Sequence, residues 1–199
     1  MSKTMTRSSE ATRTTKETQI HIKIDLDGSG SGDISTGIPF FDHMLTLFTA
    51  HGFFDLTVTG KGDIEVDFHH TVEDVGLALA DALTEALGDK RGIRRFGHAV
   101  TPMDETLSTV TVDLSNRPYL VFIVPIEGRD GRFFDTALTK EFFKSLSTRA
   151  GMNLHINLSY GENEHHIVES IFKSAGRALN EATRRDDRVI GVRSTKGRL

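Results

Sequence analysis

The chain has 199 residues, with 24 Lys and Arg against 28 Asp and Glu and a formal net charge of −4. That length can bury a substantial core as one or two domains, and the slightly acidic balance gives no reason to expect nucleic acid or an anionic membrane surface as partner. Cys is absent, which excludes thiol catalysis, disulfides and Cys-based zinc sites and is compatible with a cytoplasmic location; no apolar run approaches the ~20 residues of a membrane span.

Residues 1–16 are rich in Ser, Thr, Arg and Lys and have neither apolar periodicity nor the apolar stretch of a secretory signal. They read as unstructured, with 1–12 as a flexible tail. Ile20, Ile22, Ile24 and Leu26 alternate with polar residues, the period of a half-buried strand, and the Asp/Gly/Ser run 27–32 is a turn signal. Pro39 to His51 reads as a short amphipathic helix. Leu56–Val58, a Gly/Lys/Asp turn, and Ile64, Val66 and Phe68 read as a hairpin. Val72, Val75, Leu79, Leu83 and Leu87 then lie on one helical face, and Gly88 is a helix stop. The second half follows the same order: strands around 110–114 and 119–126, a helix over 141–150, a strand over 154–158, a turn at 161–163 and a helix over 165–182. The segment from Asp186 onward is polar and reads as an extended tail.

One motif, His-His-x-Val-Glu, occurs twice, as His69–Glu73 and His165–Glu169, 96 residues apart. At that offset six of fifteen positions match, so the repeat is wider than the motif. Near the start of each half the offset is 88: Glu17-Thr18 matches Glu105-Thr106, and Asp25-Leu26 matches Asp113-Leu114. Between these blocks lie two short helices, and the distances to the two His pairs align His43 with Glu141. The chain is therefore expected to be α+β, an internal duplication of two half-domains over 13–97 and 98–185, with a C-terminal tail over 186–199.

The motif chemistry points to metal. Adjacent helical residues diverge by about 100°, so His69 and His70 cannot easily serve one ion, and nor can His165 and His166. Glu73 and Glu169 follow at helical spacing and can share a face with either neighbour. The economical arrangement is two sites, each with one His from each pair, one of the two Glu, and His43 or Glu141 from a short helix. Imidazole and carboxylate without sulfur suit Mn, Fe or Zn. Arg95, Arg117, Lys173 and the Ser194-Thr195-Lys196 segment carry groups that suit a phosphate.

Taken together, TGIPFFDHML (36–45), DFHHTVEDVG (67–76), PMDE (102–105), DLSNRPYL (113–120), HHIVE (165–169) with FK (172–173), and STKG (194–197) resemble the imidazoleglycerol-phosphate dehydratases of histidine biosynthesis. The resemblance implies a duplicated α+β unit, each half a four-stranded sheet with helices on one face (ribosomal protein S5 domain 2-like). It implies two Mn2+ ions per subunit and metal-dependent assembly into a 24-subunit shell. It places metal ligands at His43, His69, His70, Glu73, His165, His166 and Glu169, with Glu141 a further ligand where some members have His. It places substrate contacts at Glu17, His43, Arg95, Arg117, Lys173, Ser194, Thr195 and Lys196, and catalytic carboxylates at Glu17, Glu73 and Glu169. Arg193 stands where the family commonly has Pro, which points to a less rigid tail.

The expected reaction removes water from D-erythro-imidazole glycerol phosphate to give imidazole acetol phosphate. Metal coordination would make the azole more acidic, and protein carboxylates would handle the protons. Glu17 is the first candidate, and Glu105 or Asp104 could serve a second role. Competing readings are a two-metal phosphoester hydrolase, a metal-clipped structural shell, and an RNA-binding domain. The acidic balance and the lack of a dense basic stripe disfavour the last.

Overall fold

The computed structural model describes residues 7–125 and 134–199. Twelve elements follow in order: β1 (Ser8–Thr14), β2 (Thr18–Asp25), β3 (Gly32–Ser35), α1 (Pro39–Gly52), β4 (Asp55–Gly62), α2 (His69–Leu87), β5 (Phe96–Met103), β6 (Thr106–Asp113), β7 (Tyr119–Ile123), α3 (Thr136–Arg149), β8 (Asn153–Tyr160) and α4 (Glu164–Thr183). They form two four-stranded sheets of identical topology, β1-β2-β4-β3 and β5-β6-β8-β7. In each, only the pair joining the short edge strand to its neighbour is parallel. The duplicated α+β architecture expected from the repeat is the architecture found.

Strand alternation decides which face of each sheet is buried. Ile20, Ile22 and Ile24 of β2 and Leu56 and Val58 of β4 point inward, as do Val110 and Val112 of β6 and Leu154 and Ile156 of β8. The helices cover those faces and interleave across the halves: α1 packs on α4, and α2 on α3. One continuous apolar core results. Its aromatic centre joins the halves, since Phe41 of α1 stacks on Phe134 at 4.9 Å and meets Phe142 of α3 edge-on at 5.4 Å, while Phe142 stacks on Phe172 of α4.

Several expectations are corrected. Residues 8–14, placed almost wholly in a flexible tail, form the edge strand β1, paired along its whole length with β2. Its only inward apolar side chain is Ala11, so no hydrophobic alternation marks it. Polar contacts hold it instead. Ser9 Oγ donates to the Ala82 carbonyl, Arg13 Nε donates to Asp74 at 2.6 Å, and buried Arg7 donates to Asp27 and the Thr183 carbonyl. The hairpin expected over 56–68 does not form, because β4 already has β2 on one edge and β3 on the other; 64–66 is a turn and Val66 is exposed. β3 lies partly in the Gly/Ser run read as a turn. β5 was missed because its inward residues, Gly97, Ala99 and Thr101, are too small for an apolar pattern. Gly88 does end α2, with φ 55° and its N–H on the Thr84 and Glu85 carbonyls. The strand expected to reach residue 126 ends at Ile123, and Ile126 lies outside the described residues.

The α1–α4 crossing depends on Gly176, where a Cβ would collide with the Phe48 carbonyl oxygen. Gly176→Ala is therefore expected to force the helices apart and destabilise the fold by about 1–3 kcal/mol, read as a lower urea midpoint with an unchanged slope. Asp27 gives a pH test. Its hydrogen bond from Arg7, aided by the charges of Arg7 and Arg185, holds its carboxyl below the ordinary 3.8 against a smaller opposing effect of burial. A depressed carboxylate stabilises above its ordinary value, and that contribution is lost as pH falls through the folded value. The stability advantage of the native protein over Asp27→Asn is expected to hold above about pH 5 and to close on acidification below 3.8. A gap that stays constant down to the acid transition would contradict this.

Candidate metal and phosphate sites

Both His pairs stand at helix N-termini, and in each a side chain two residues upstream holds the N–H of the first histidine. Asp67 Oδ1 accepts the His69 N–H at 2.8 Å, and Asn163 Oδ1 accepts the His165 N–H at 2.9 Å. These two acceptors are 96 residues apart, like the motifs. The rings diverge as helical geometry requires: His69 and His70 are at 88° and 6.1 Å between centroids, and His165 and His166 at 86° and 6.1 Å.

The first imidazole of each pair turns back along its own helix. His165 Nε2 is 3.2 Å from Glu169, which is also 3.6 Å from His43 Nε2 on α1. One ligand atom from each of His43, His165 and Glu169 lies within 4.8 Å of the others. Two neutral-capable imidazoles and a carboxylate converging from two helices fit a divalent cation of intermediate hardness. Burial alone would push the Glu169 carboxyl up, but the hydrogen bond and charge of Lys173, with His165 and His43, hold it below its ordinary value. It is therefore ionised and able to ligate. The corresponding contact in the first half is looser, with His69 Nε2 4.0 Å from Glu73 and both side chains partly exposed.

The second imidazole of each pair faces away, toward the strand ends. His70 Nδ1 is 3.0 Å from Asp63 and 3.8 Å from Glu17. His166 Nδ1 is 2.7 Å from Glu105, and its Nε2 is 3.8 Å from the exposed Asp104. Glu141 pairs with Lys144 at 3.1 Å, and among the described residues no contact joins it to a histidine. Nor does any contact within the described chain join the α2 pair to the α4 pair, so one His from each pair is not assembled here by a single copy.

The groups expected to hold phosphate divide. Lys173 lies in the His43/His165/Glu169 group, with Nζ 2.6 Å from Glu169. Arg95, Arg117 and Ser194–Lys196 come together in a cleft of about 710 Å³, which Arg193 and Arg198 also line. The β6–β7 turn and the C-terminal segment form its walls. Arg95 is fixed at 2.7 Å to Asp113 and donates to the Arg193 carbonyl at 2.7 Å, while its guanidinium lies 4.7 Å over the Phe96 ring. Arg193 in turn donates to the Arg94 carbonyl at 2.9 Å, an anchor that Pro could not supply. Arg95 and Asn116 both have left-handed backbones (φ 69° and 56°), the kind of local strain that surrounding bonds must support. Arg193, Arg198 and Phe96 were not expected in this cleft, because only folding brings the tail back to β5. Asp63 was likewise missed, since nothing in its own sequence neighbourhood marks it.

Comparison with known proteins follows the same lines. The family model described as imidazoleglycerol-phosphate dehydratase matches residues 36–179. A relative of that name from Desulfosudis oleivorans is 58% identical over 193 residues, 97% of this chain and 99% of the relative. One from Shouchella clausii is 56% identical over 195 residues, covering 98% and 100%. The crystal structure of the Pyrococcus furiosus protein superposes with a TM-score of 0.81 at 41% identity over 94% of this chain and 99% of that one. The Staphylococcus aureus structure gives 0.78 at 38%, over 89% and 100%. With its two matching sheets, paired histidine motifs and near full-length similarity, this chain belongs to the imidazoleglycerol-phosphate dehydratase family.

Proposed function

We propose that the protein is a hydro-lyase of histidine biosynthesis that converts D-erythro-imidazole glycerol phosphate to imidazole acetol phosphate. The observation that carries this is the near full-length relationship to enzymes of that name, in a chain that builds both a histidine–carboxylate group and a separate basic cleft. Every part of the substrate then has a matching group. The phosphate takes charge-assisted hydrogen bonds from Arg95, Arg117 and Ser194–Lys196. The imidazole is directed to the histidine–carboxylate groups.

The metal we infer is Mn2+, two ions per subunit. Its ligands are His43, His165 and Glu169 on one side and His69 and Glu73 on the other, with His70, His166 and Glu141 as further members. When bound, it would supply Lewis acidity that makes the azole N–H easier to remove. The remaining work belongs to side chains. Glu17 is half exposed, 3.8 Å from His70, and among the described residues its carboxylate accepts no hydrogen bond. It is free to take the carbon-bound proton or to deliver one to the leaving hydroxyl. Glu73 and Glu169 hold negative charge beside the imidazoles.

The layout also supports assembly. The basic cleft lies at the Phe96 end of β5, and the His166–Glu105 group at the Met103 end. Eight strand residues separate them, about 26 Å, far more than the length of a small phosphorylated imidazole. One chain cannot offer both to one substrate, so the complete site needs groups from more than one copy, as in a 24-subunit shell. A cytoplasmic location fits such a biosynthetic enzyme, and no helix among the described residues is long and apolar enough to cross a membrane.

Metal-stripped protein is expected to be inactive on imidazole glycerol phosphate and to regain ketone formation, with phosphate retained, when Mn2+ is added. Release of free phosphate instead would favour the phosphoester hydrolase. Chelation is expected to shrink the particle, followed by light scattering; an intact large particle after verified metal removal would count against metal-linked assembly. Glu17→Gln is expected to lower kcat by about 10²–10⁴-fold while metal content and assembly stay normal. Near-native turnover would remove Glu17 from proton transfer.

A further inference from the structure

The duplication sets Glu17 and Glu105 in equivalent places, each just before the second strand of its sheet. Their surroundings are not equivalent. The Glu105 carboxylate is heavily bonded. Oε1 accepts the Asn163 N–H at 2.9 Å, the Glu162 N–H at 3.3 Å and the Thr106 hydroxyl at 3.0 Å, and Oε2 meets His166 Nδ1 at 2.7 Å. These bonds fasten the β5–β6 turn to the N-terminal turn of α4. Glu17 has no such bonds among the described residues, and its nearest partner is His70 Nδ1 at 3.8 Å. His70 is served instead by Asp63, whose two carboxylate oxygens lie 3.0 and 3.2 Å from the same nitrogen.

The exchange follows the way the chain leaves each sheet. Gly62, where a Cβ would meet Thr71 and Thr18, matches Gly161, where it would meet their repeat mates Ile167 and Thr106. Asp63 therefore matches Glu162, whose backbone N–H is bonded to Glu105 Oε1 at 3.3 Å. In the second half the carboxylate on the outer ring comes instead from Glu105 in the neighbouring turn.

The consequence for the imidazoles is chemical. An ionised carboxylate has no proton to give, so each Nδ1 must be the donor. In the neutral ring this leaves Nε2 unprotonated, with a lone pair available to a cation. We infer that Glu105 for His166, and Asp63 for His70, are positioning residues that fix the ring orientation and tautomer in which Nε2 can bind metal, and that the duplicated glutamates have divided their work, Glu105 to positioning and Glu17 to the reaction. This rests on the metal-binding reading above, and it assigns Glu105 a part outside proton transfer. A second carboxylate hydrogen-bonded to a ligating imidazole is a recurrent way of raising ligand basicity and holding its angle.

The test is Mn2+ affinity, measured by chelator competition at a pH where free imidazole is neutral, on the full-length protein. Glu105→Gln keeps Oε1 for the α4 backbone but places an amide N–H against Nδ1. That turns the ring to its other tautomer and blocks Nε2. Affinity is expected to fall about 10–100-fold, with the unfolding temperature of the metal-free protein unchanged. Asp63→Asn is expected to behave alike, and Glu17→Gln to keep native affinity while losing turnover. Native Mn2+ affinity in Glu105→Gln would overturn the inference. Failure of the unsubstituted protein to bind Mn2+ would sink the metal-binding reading and this inference with it. Should the Glu105 variant not fold, histidine 15N spectra of the metal-free native protein decide. An Nδ1-protonated His166 supports the assignment, and an Nε2-protonated ring refutes it.

Discussion

Two neighbouring residues at the start of an α-helix cannot face the same way, and the rest of this molecule is arranged around that constraint. A His-His pair at a helix N-terminus sends one ring back along the helix and the other out past its end. The near-perpendicular rings of both pairs show it directly. Each pair therefore needs two kinds of acidic partner. The first comes from the helix itself, at i+4, as Glu73 and Glu169. The second must come from the sheet, as Asp63 or Glu105. Asp67 and Asn163 fix the backbone at which each pair begins.

Duplication repeats the backbone faithfully and the side chains selectively. Strand order and helix placement recur. The histidine–carboxylate groups do not recur equally. α1 crosses α4 closely, with no side chain at Gly176 to hold it off, and so brings His43 to Glu169; on the other side, Glu141 of α3 turns to Lys144. The basic ends diverge as well. Arg95 helps to line a wide cleft, while Arg7, its equivalent before β1, is buried and spent on Asp27 and a helix carbonyl. One half thus carries a basic cleft at this position and the other uses the same position for stability.

The basic cleft and Glu105 occupy opposite ends of the β5–β6 hairpin, bridged by α4, whose 20 residues span about 30 Å. That separation is the structural reason for reading the site as a property of the assembly rather than of one chain. It also sets Lys173, which is 2.6 Å from Glu169 and two turns from the helix start, away from the basic cleft of its own chain.

Much of this was legible in the residues themselves. Period-2 alternation marked β2, β6 and β8, helical spacing marked α2 and α4, and the repeated motif marked the histidine–carboxylate contacts His69–Glu73 and His165–Glu169, because these signals depend only on neighbours a few positions apart. β1, β3 and β5 left no such trace. Their inward side chains are polar or small apart from the single Ile34 of β3, too short a pattern to read, and the strands are recognised only through the partners that fold against them. The hairpin at 56–68 was misread for the converse reason: its pattern was locally sound, but β2 and β3 had taken both edges of β4. The paired histidines could be named from spacing, and so could their divergence. Which carboxylate each outer ring meets was decided by tertiary packing alone, because it depends on how the turns after β4 and before β6 sit against the helix starts in three dimensions, to which sequence spacing is blind.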